Sequence, residues 1–144
     1  MNTIGDVSHM TIHTRFHGDL AIVEDDLITL SPEILGFPED RQFVLVPHRP
    51  DSPFLYLQSI TTPALAFIAI DPLLVMPDYT VSPSEIQNLG DPSEWAVLCL
   101  CSIGHGDNGT VNLKSPIVIN RSMRHGGQYV LSSSYSFQHP LFRG

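Results

Sequence analysis

The most constraining feature of this sequence is the stretch Thr-Val-Asn-Leu-Lys-Ser-Pro-Ile-Val-Ile-Asn at residues 110–120. Apolar residues recur at every second position on both sides of Pro116, a period typical of a strand with one buried face. Because proline has no N–H to donate to a strand ladder, Pro116 predicts a bulge or an edge between two short strands. We expect the side-chain amides of Asn112 and Asn120 to hydrogen-bond backbone groups nearby.

The rest of the chain repeats this pattern of short apolar segments separated by Pro, Gly and Asp. Residues 10–16 alternate and are followed by His17-Gly18, which predicts a first hairpin. Gly126-Gly127 predicts a turn into a last strand at residues 128–131. The segments between these two points are interpreted as strands at 27–30, 42–46, 55–60, 64–70 and 96–103.

One short helix is predicted, at residues 83–89. Ser82, Pro83 and Glu85 match a capping box, with Ser82 as N-cap and Glu85 reaching back to it. Gly90 is expected to end the helix.

The fold class that follows is mainly β, a small antiparallel β-barrel or sandwich-like domain with one helix. A chain of 144 residues fits one domain. We assign residues 1–144 to it, with a core at about residues 10–131 and a loosely held tail at 132–144.

Charge is distributed unevenly along the chain. Residues 1–109 contain three basic residues and all fifteen acidic ones, a net charge of -12, whereas the remainder carries four basic residues and no acidic ones. Nucleic acid would be repelled by such an acidic body, so direct DNA or RNA binding is disfavoured and a basic protein partner is permitted. Cys99 and Cys101 lie too close in sequence for an unstrained bridge, so reduced thiols are expected. With no apolar run long enough for a membrane helix, we expect a soluble cytoplasmic protein.

Catalytic and metal sites find little support. His9, His13 and His17 recur every four residues, but on a strand rising about 3.3 Å per residue the outer two are too far apart for one ion. A metal-binding barrel, or an enzyme using this histidine cluster, is kept as the alternative function. No nucleophile motif, phosphate-binding glycine loop or basic aromatic stripe is present, so no cofactor is expected.

The order and spacing of several short motifs resemble the flagellar assembly factor FliW family over most of the chain. The two longest are Phe-Leu-Tyr-Leu-Gln-Ser at 54–59 and residues 111–120 of the stretch described first. The others lie at 14–16 with Gly18, at 36–37, 43–46, 63–67, 71–72 and 78–79.

The resemblance implies a non-enzymatic cytoplasmic regulator of flagellar assembly with two protein partners, flagellin and the RNA-binding translational repressor CsrA. Flagellin would hold the factor while it accumulates. After flagellin export the freed factor would bind CsrA and relieve repression of flagellin mRNA. A monomer is expected when no partner is bound.

The partner-binding surface is predicted mainly in the loop after the strand at 64–70. This loop combines acidic, aromatic and flexible apolar side chains, and loops on a rigid sheet commonly carry function. An inward, structural role for its tyrosine and for the second patch is the alternative. The predicted residues are Asp71, Pro72, Met76, Asp78 and Tyr79 in the loop, with Tyr56 and Gln58 as the second patch.

Overall fold

The structure, a computed structural model, describes residues 9–104 and 109–141, with His9 described in its backbone alone. Within these residues it contains eleven β-strands and several single 3-10 turns. The strands are β1 (His9–Thr14), β2 (Gly18–Val23), β3 (Ile28–Leu30), β4 (Gln42–Pro47), β5 (Phe54–Ser59), β6 (Ala66–Ile70), β7 (Trp95–Ser102), β8 (Thr110–Val111), β9 (Ile117–Asn120), β10 (His125–Gln128) and β11 (His139–Pro140).

The main sheet closes on itself as a barrel. Strands β3 to β7 follow one another as antiparallel neighbours, β10 runs parallel to β3, and β9 joins β10 to β7. The interior is filled by apolar side chains from six of these strands, among them Phe43, Leu57 and Ile117, all fully buried. The prediction of a small, mainly β barrel is confirmed. The β1–β2 hairpin forms a separate two-stranded sheet, as its sequence predicted.

Residues 110–120 form the seam of the barrel. Both β8 and β9 pair with the same edge of β7. The break around Pro116 separates the two strands, so that β8 pairs with the C-terminal end of β7 and β9 with its N-terminal half. Asn112 accepts a hydrogen bond from the Ser115 N–H at 2.9 Å, and Asn120 accepts bonds from Ser122 and Met123. The expected two strands and bracketing amides are therefore present.

The expectation of one buried face in this seam is wrong for β9, whose four residues are all buried. Ile117 and Ile119 face the barrel interior. Val118 points outward and is covered by Ile86 and Leu89 from the loop before β7. The outer face of β9 is thus a second small core, which an alternating pattern cannot reveal.

The helix predicted at residues 83–89 is not formed; only the 3-10 turn Pro83–Glu85 is present. Ser82 makes no capping bond to the backbone, and the Glu85 carboxylate accepts a bond from the Ser132 N–H instead. Extended backbone at Ile86 and a positive φ of 63° at Asn88 end the turn. Burial of Ile86 and Leu89 against β9 requires this irregular path, and tertiary packing overrides the local helix signal.

Two further expectations need correction at the C-terminal end. Gly126 and Gly127 do not form a turn but lie within β10, between β3 and β9. The segment expected to be loosely held is packed on the body over residues 132–141, because β11 pairs with β8 and the Ser136 carbonyl accepts from Leu113 and Lys114. Residues 142–144 lie outside the described part.

The cysteines lie on the outer face of β7 and are both free. Burial raises the pKa of each thiol to about 12. The thiols are therefore protonated at neutral pH, and thiolate reactivity is low. This agrees with the expected reduced state.

Candidate partner-binding surface

The loop that follows β6 begins with a capped 3-10 turn. The Asp71 carboxylate accepts a hydrogen bond from the Leu73 N–H at 2.9 Å and so fixes the turn Pro72–Leu74. Pro72 is buried, whereas Leu73 and Leu74 are 51% and 64% exposed. The two neighbouring leucines form a small exposed apolar patch, a feature that contact surfaces often carry.

Tyr79 fixes the other end of this loop. It is 5% exposed, its hydroxyl donates to the Leu113 carbonyl at 2.7 Å, and its ring stacks on Tyr135 at 4.6 Å between centroids. Burial, reinforced by the nearby Cys99, raises the pKa of Tyr79 well above its usual range. Tyr79 therefore ties the loop to the barrel seam.

The two remaining predicted loop residues differ in accessibility. Met76 is half-buried and packs on the apolar cluster around Tyr79, so it supports the loop from below. Asp78 is exposed. Of the predicted loop residues, Asp71 and Asp78 therefore offer the most surface to a partner.

A groove of about 540 Å³ runs between the loop and β7. One wall is formed by residues 71–73 with Tyr79 and Val81, and the other by residues 95–98 with Arg121. We call this the β7 groove. Its volume lies in the range of small-molecule pockets, and its walls are largely apolar.

Two exposed rim carboxylates are relevant to the β7 groove: Asp71 belongs to its lining, and Asp91 directly precedes the lining residue Pro92. A hydrogen bond from the Ser93 N–H lowers the pKa of Asp91. Within the described residues the ion pairs are His13–Asp19 and Glu33–Arg41, so neither rim carboxylate is neutralised by a basic side chain. The guanidinium of Arg121 is bound to the backbone carbonyls of Ser93 and Trp95.

The second predicted patch is not part of this surface. Gln58 is fully buried and donates to the carbonyls of Ser59, Pro63 and Leu65, so it holds the β5–β6 turn rather than facing a partner. Tyr56 is half-buried under the first hairpin, with the His17 ring 4.6 Å away between centroids.

The histidine series does not converge in the structure. His17 lies in the turn after β1, and its ring packs edge-on against Tyr56. Burial lowers the pKa of His17. His13 is exposed on β1 and pairs with Asp19 at 2.5 Å. No group of three potential ligands that could hold a metal occurs among the described residues, which exclude the His9 side chain.

Sequence reasoning did not single out most residues of this candidate surface, among them Leu73, Leu74, Trp95, Val97 and Arg121. The Asp-Pro-Leu-Leu order was a usable signal, because an Asp-Pro cap predicts a tight turn that turns the next side chains outward. The groove contacts of Trp95 and Arg121 depend on how β7 and β9 pair, which the sequence does not contain. No helix in the described part of the chain has the length and apolar character to cross a membrane.

Comparison with known proteins gives one consistent result. A family model described as FliW protein matches residues 11–141. A flagellar assembly factor FliW from Geobacillus kaustophilus is 38% identical over 139 residues, covering 92% of this chain and 96% of that protein. The one from Bacillus subtilis is 36% identical over 140 residues, with the same coverage of both chains. A crystal structure of the flagellar assembly factor FliW matches with a TM-score of 0.82 at 34% identity, covering 94% of this chain and 99% of that chain. The chain therefore belongs to the FliW family.

Proposed function

We propose that this protein is a non-enzymatic, cytoplasmic regulator of flagellar assembly that binds flagellin and, when released, binds a CsrA-type translational repressor. The observation that carries the proposal is the family match over residues 11–141, which includes every strand of the barrel. The relatives are named flagellar assembly factors, and that name supports a role in assembly rather than in catalysis. The protein is expected to be a monomer between partners.

The charge of the chain supports a repressor that binds RNA as one partner. Residues 1–109 contain three basic and fifteen acidic residues, a net charge of -12. An RNA-binding protein presents basic groups to phosphate, so an acidic body is attracted to it. Once bound, the same charge repels approaching RNA and lowers the repressor's effective affinity for its message.

The loop at residues 71–78 and the β7 groove support a defined contact surface. The turn Pro72–Leu74 presents two exposed leucines between the carboxylates of Asp71 and Asp78. Apolar side chains surrounded by charge are the usual composition of a protein–protein interface, with the apolar part supplying affinity and the charges supplying selectivity. We assign this surface to partner binding.

The electrostatic part of this proposal predicts that binding to CsrA weakens as salt is added. The screening length falls from about 10 Å at 0.1 M salt to about 3 Å at 1 M. We expect a loss of affinity of roughly tenfold over this range, mainly through slower association. Calorimetric titration at several salt concentrations measures it, with sodium chloride and potassium glutamate compared to separate screening from anion binding. An affinity that is the same at both ends of the range contradicts the electrostatic account.

The function itself is tested by competition. A labelled flagellin mRNA leader is bound to CsrA, and this protein is added, followed by flagellin. The proposal predicts that RNA is released by the first addition and bound again after the second. Binding to neither protein would refute it.

A further inference from the structure

One edge of β7 is paired at only three of the strand's eight residues. Strand β6 pairs with it through Ile68 to Ile70, opposite Cys99 to Cys101. The pairing stops there because Asp71 caps a turn and Pro72 has no N–H to donate. No described residue pairs with this edge of β7 between Trp95 and Leu98, whereas the opposite edge is paired with β9.

The backbone direction at each position of β7 follows from two hydrogen bonds on the paired edge. The Leu100 carbonyl accepts from the Asn112 N–H at 2.9 Å, and the Glu94 carbonyl accepts from the Arg121 N–H at 2.9 Å. Backbone groups of successive residues in a strand point to alternate edges. Trp95 and Val97 therefore direct their N–H and C=O groups to the open edge.

Arg121 covers one part of that edge. Its guanidinium donates to the Trp95 carbonyl at 3.2 Å and to the Ser93 carbonyl at 3.0 Å, in the place of a neighbouring strand's donors. Val97 comes next along the edge. It is half-buried in the β7 groove, and among the described residues no strand pairing on this edge and no loop hydrogen bond reaches its N–H or its C=O.

We infer that the β7 groove binds an extended segment of a partner protein, which adds to the open edge of β7 at Val97 as a short strand. An unpaired strand edge selects an extended backbone, because only that conformation offers a donor and an acceptor at the right spacing. The groove walls select apolar side chains at alternate positions. A lysine or arginine is favoured next to them by two carboxylates without an ion pair among the described residues: Asp71, which lines the groove, and Asp91, which precedes the lining residue Pro92. The inference rests on the proposed function, since it gives a binding mode to the surface assigned there.

The test compares two variants of Val97 in binding to flagellin and to CsrA. Val97→Pro removes the free N–H without breaking a bond to β9, and proline is accepted at an edge whose N–H faces solvent. Val97→Ala removes most of the side chain but retains the N–H, and so measures the side-chain contribution separately. The partner that uses the edge is expected to bind Val97→Pro about tenfold more weakly than Val97→Ala, the effect of one lost hydrogen bond with its unpaired acceptor. Thermal denaturation checks that both variants are folded.

A second measurement on the unmodified protein keeps the test valid if Val97→Pro does not fold. Amide hydrogen exchange is followed by NMR with and without each partner. Exchange at Val97 is expected to slow by about tenfold or more in one complex. Ala96 and Leu98, whose amides already face β9, are expected to change less.

The outcomes separate the two proposals. Full binding of a folded Val97→Pro variant, or an unprotected Val97 amide in both complexes, overturns the added strand and leaves the proposed function standing. If Val97→Pro instead abolishes self-association of this protein, measured by sedimentation, and leaves partner binding intact, a second copy uses the edge. That result also overturns the inference. Absence of binding by the unmodified protein to either partner refutes the proposed function and the inference together.

Discussion

Replacement of Gly126 by alanine is expected to lower the free energy of unfolding by about 3 kcal/mol or more. Gly126 lies in β10, where this strand is parallel to β3 and antiparallel to β9. A Cβ atom at this position would lie 2.1 Å from the Val118 carbonyl oxygen and 2.8 Å from the Ile119 Cα. Both atoms belong to backbone, so no change of rotamer relieves the overlap. The barrel must open between β9 and β10 to accept the methyl group.

Urea denaturation followed by the fluorescence of Trp95 measures this effect, since small domains lose about 1–3 kcal/mol per molar urea. Gly18→Ala is the matched control. Gly18 has a positive φ of 64°, and a Cβ atom added there would have no other atom within 4 Å. The substitution therefore costs only the strain of an alanine in left-handed backbone, about 1–2 kcal/mol. An equal decrease in the free energy of unfolding for the two variants would mean that β9 and β10 separate easily. The close approach of their backbones would then not constrain residue 126.

The second large effect concerns binding. The double variant Asp71→Asn, Asp78→Lys is expected to weaken CsrA binding by about a hundredfold, since a like charge placed in an interface costs several kcal/mol. Asparagine at residue 71 retains an oxygen that can accept from Leu73, so the turn Pro72–Leu74 is kept. Asp78 has no ion pair among the described residues, so its loss removes no internal contact.

The control is Asp25→Asn, Asp51→Lys, which changes net charge equally at two exposed positions outside the loop and the groove. Binding measured by calorimetry for both double variants separates a local contact from a general field. We expect the control to lose only a few-fold in affinity, through slower association. A hundredfold loss in both would place the effect in the total charge rather than in the 71–78 loop.

The sequence predicted the barrel because its strong signals are local. The break at Pro116 needs only the missing N–H, and it does separate β8 from β9 along β7. The position of Asp71 before Pro72 likewise predicts a turn, and the structure has one there. Signals of this kind survive because no distant contact opposes them.

The failures have a common cause, which is packing between distant parts of the chain. The helix signal at residues 83–89 gives way because Ile86 and Leu89 are needed as a cover for Val118. Gly126 and Gly127 have the composition of a turn, yet Gly126 lies against the backbone of β9 and Gly127 against Ser31 and Pro32, which follow β3. A glycine in the sequence indicates a position that other residues fit poorly. It does not indicate whether the reason is a turn or the close approach of another backbone segment.

The same limit applies to the site. Sequence reasoning predicted partner binding in the loop after β6 and included Tyr79 and Gln58 among the contact residues. Both are almost or fully buried and make internal hydrogen bonds. Arg121 follows β9, and only the β7–β9 pairing brings its guanidinium to the groove. Residues that reach a site through strand pairing are visible only when the pairing is known.

The central claim is that one acidic protein exchanges between flagellin and an RNA-binding repressor, and one titration tests it most directly. Fluorescence anisotropy of labelled flagellin mRNA leader on CsrA is followed while this protein and then flagellin are added. The account predicts a fall in anisotropy on the first addition and its recovery on the second, with both changes reduced for the Asp71→Asn, Asp78→Lys variant. Anisotropy that stays constant through both additions, with no complex between this protein and either partner, would contradict it.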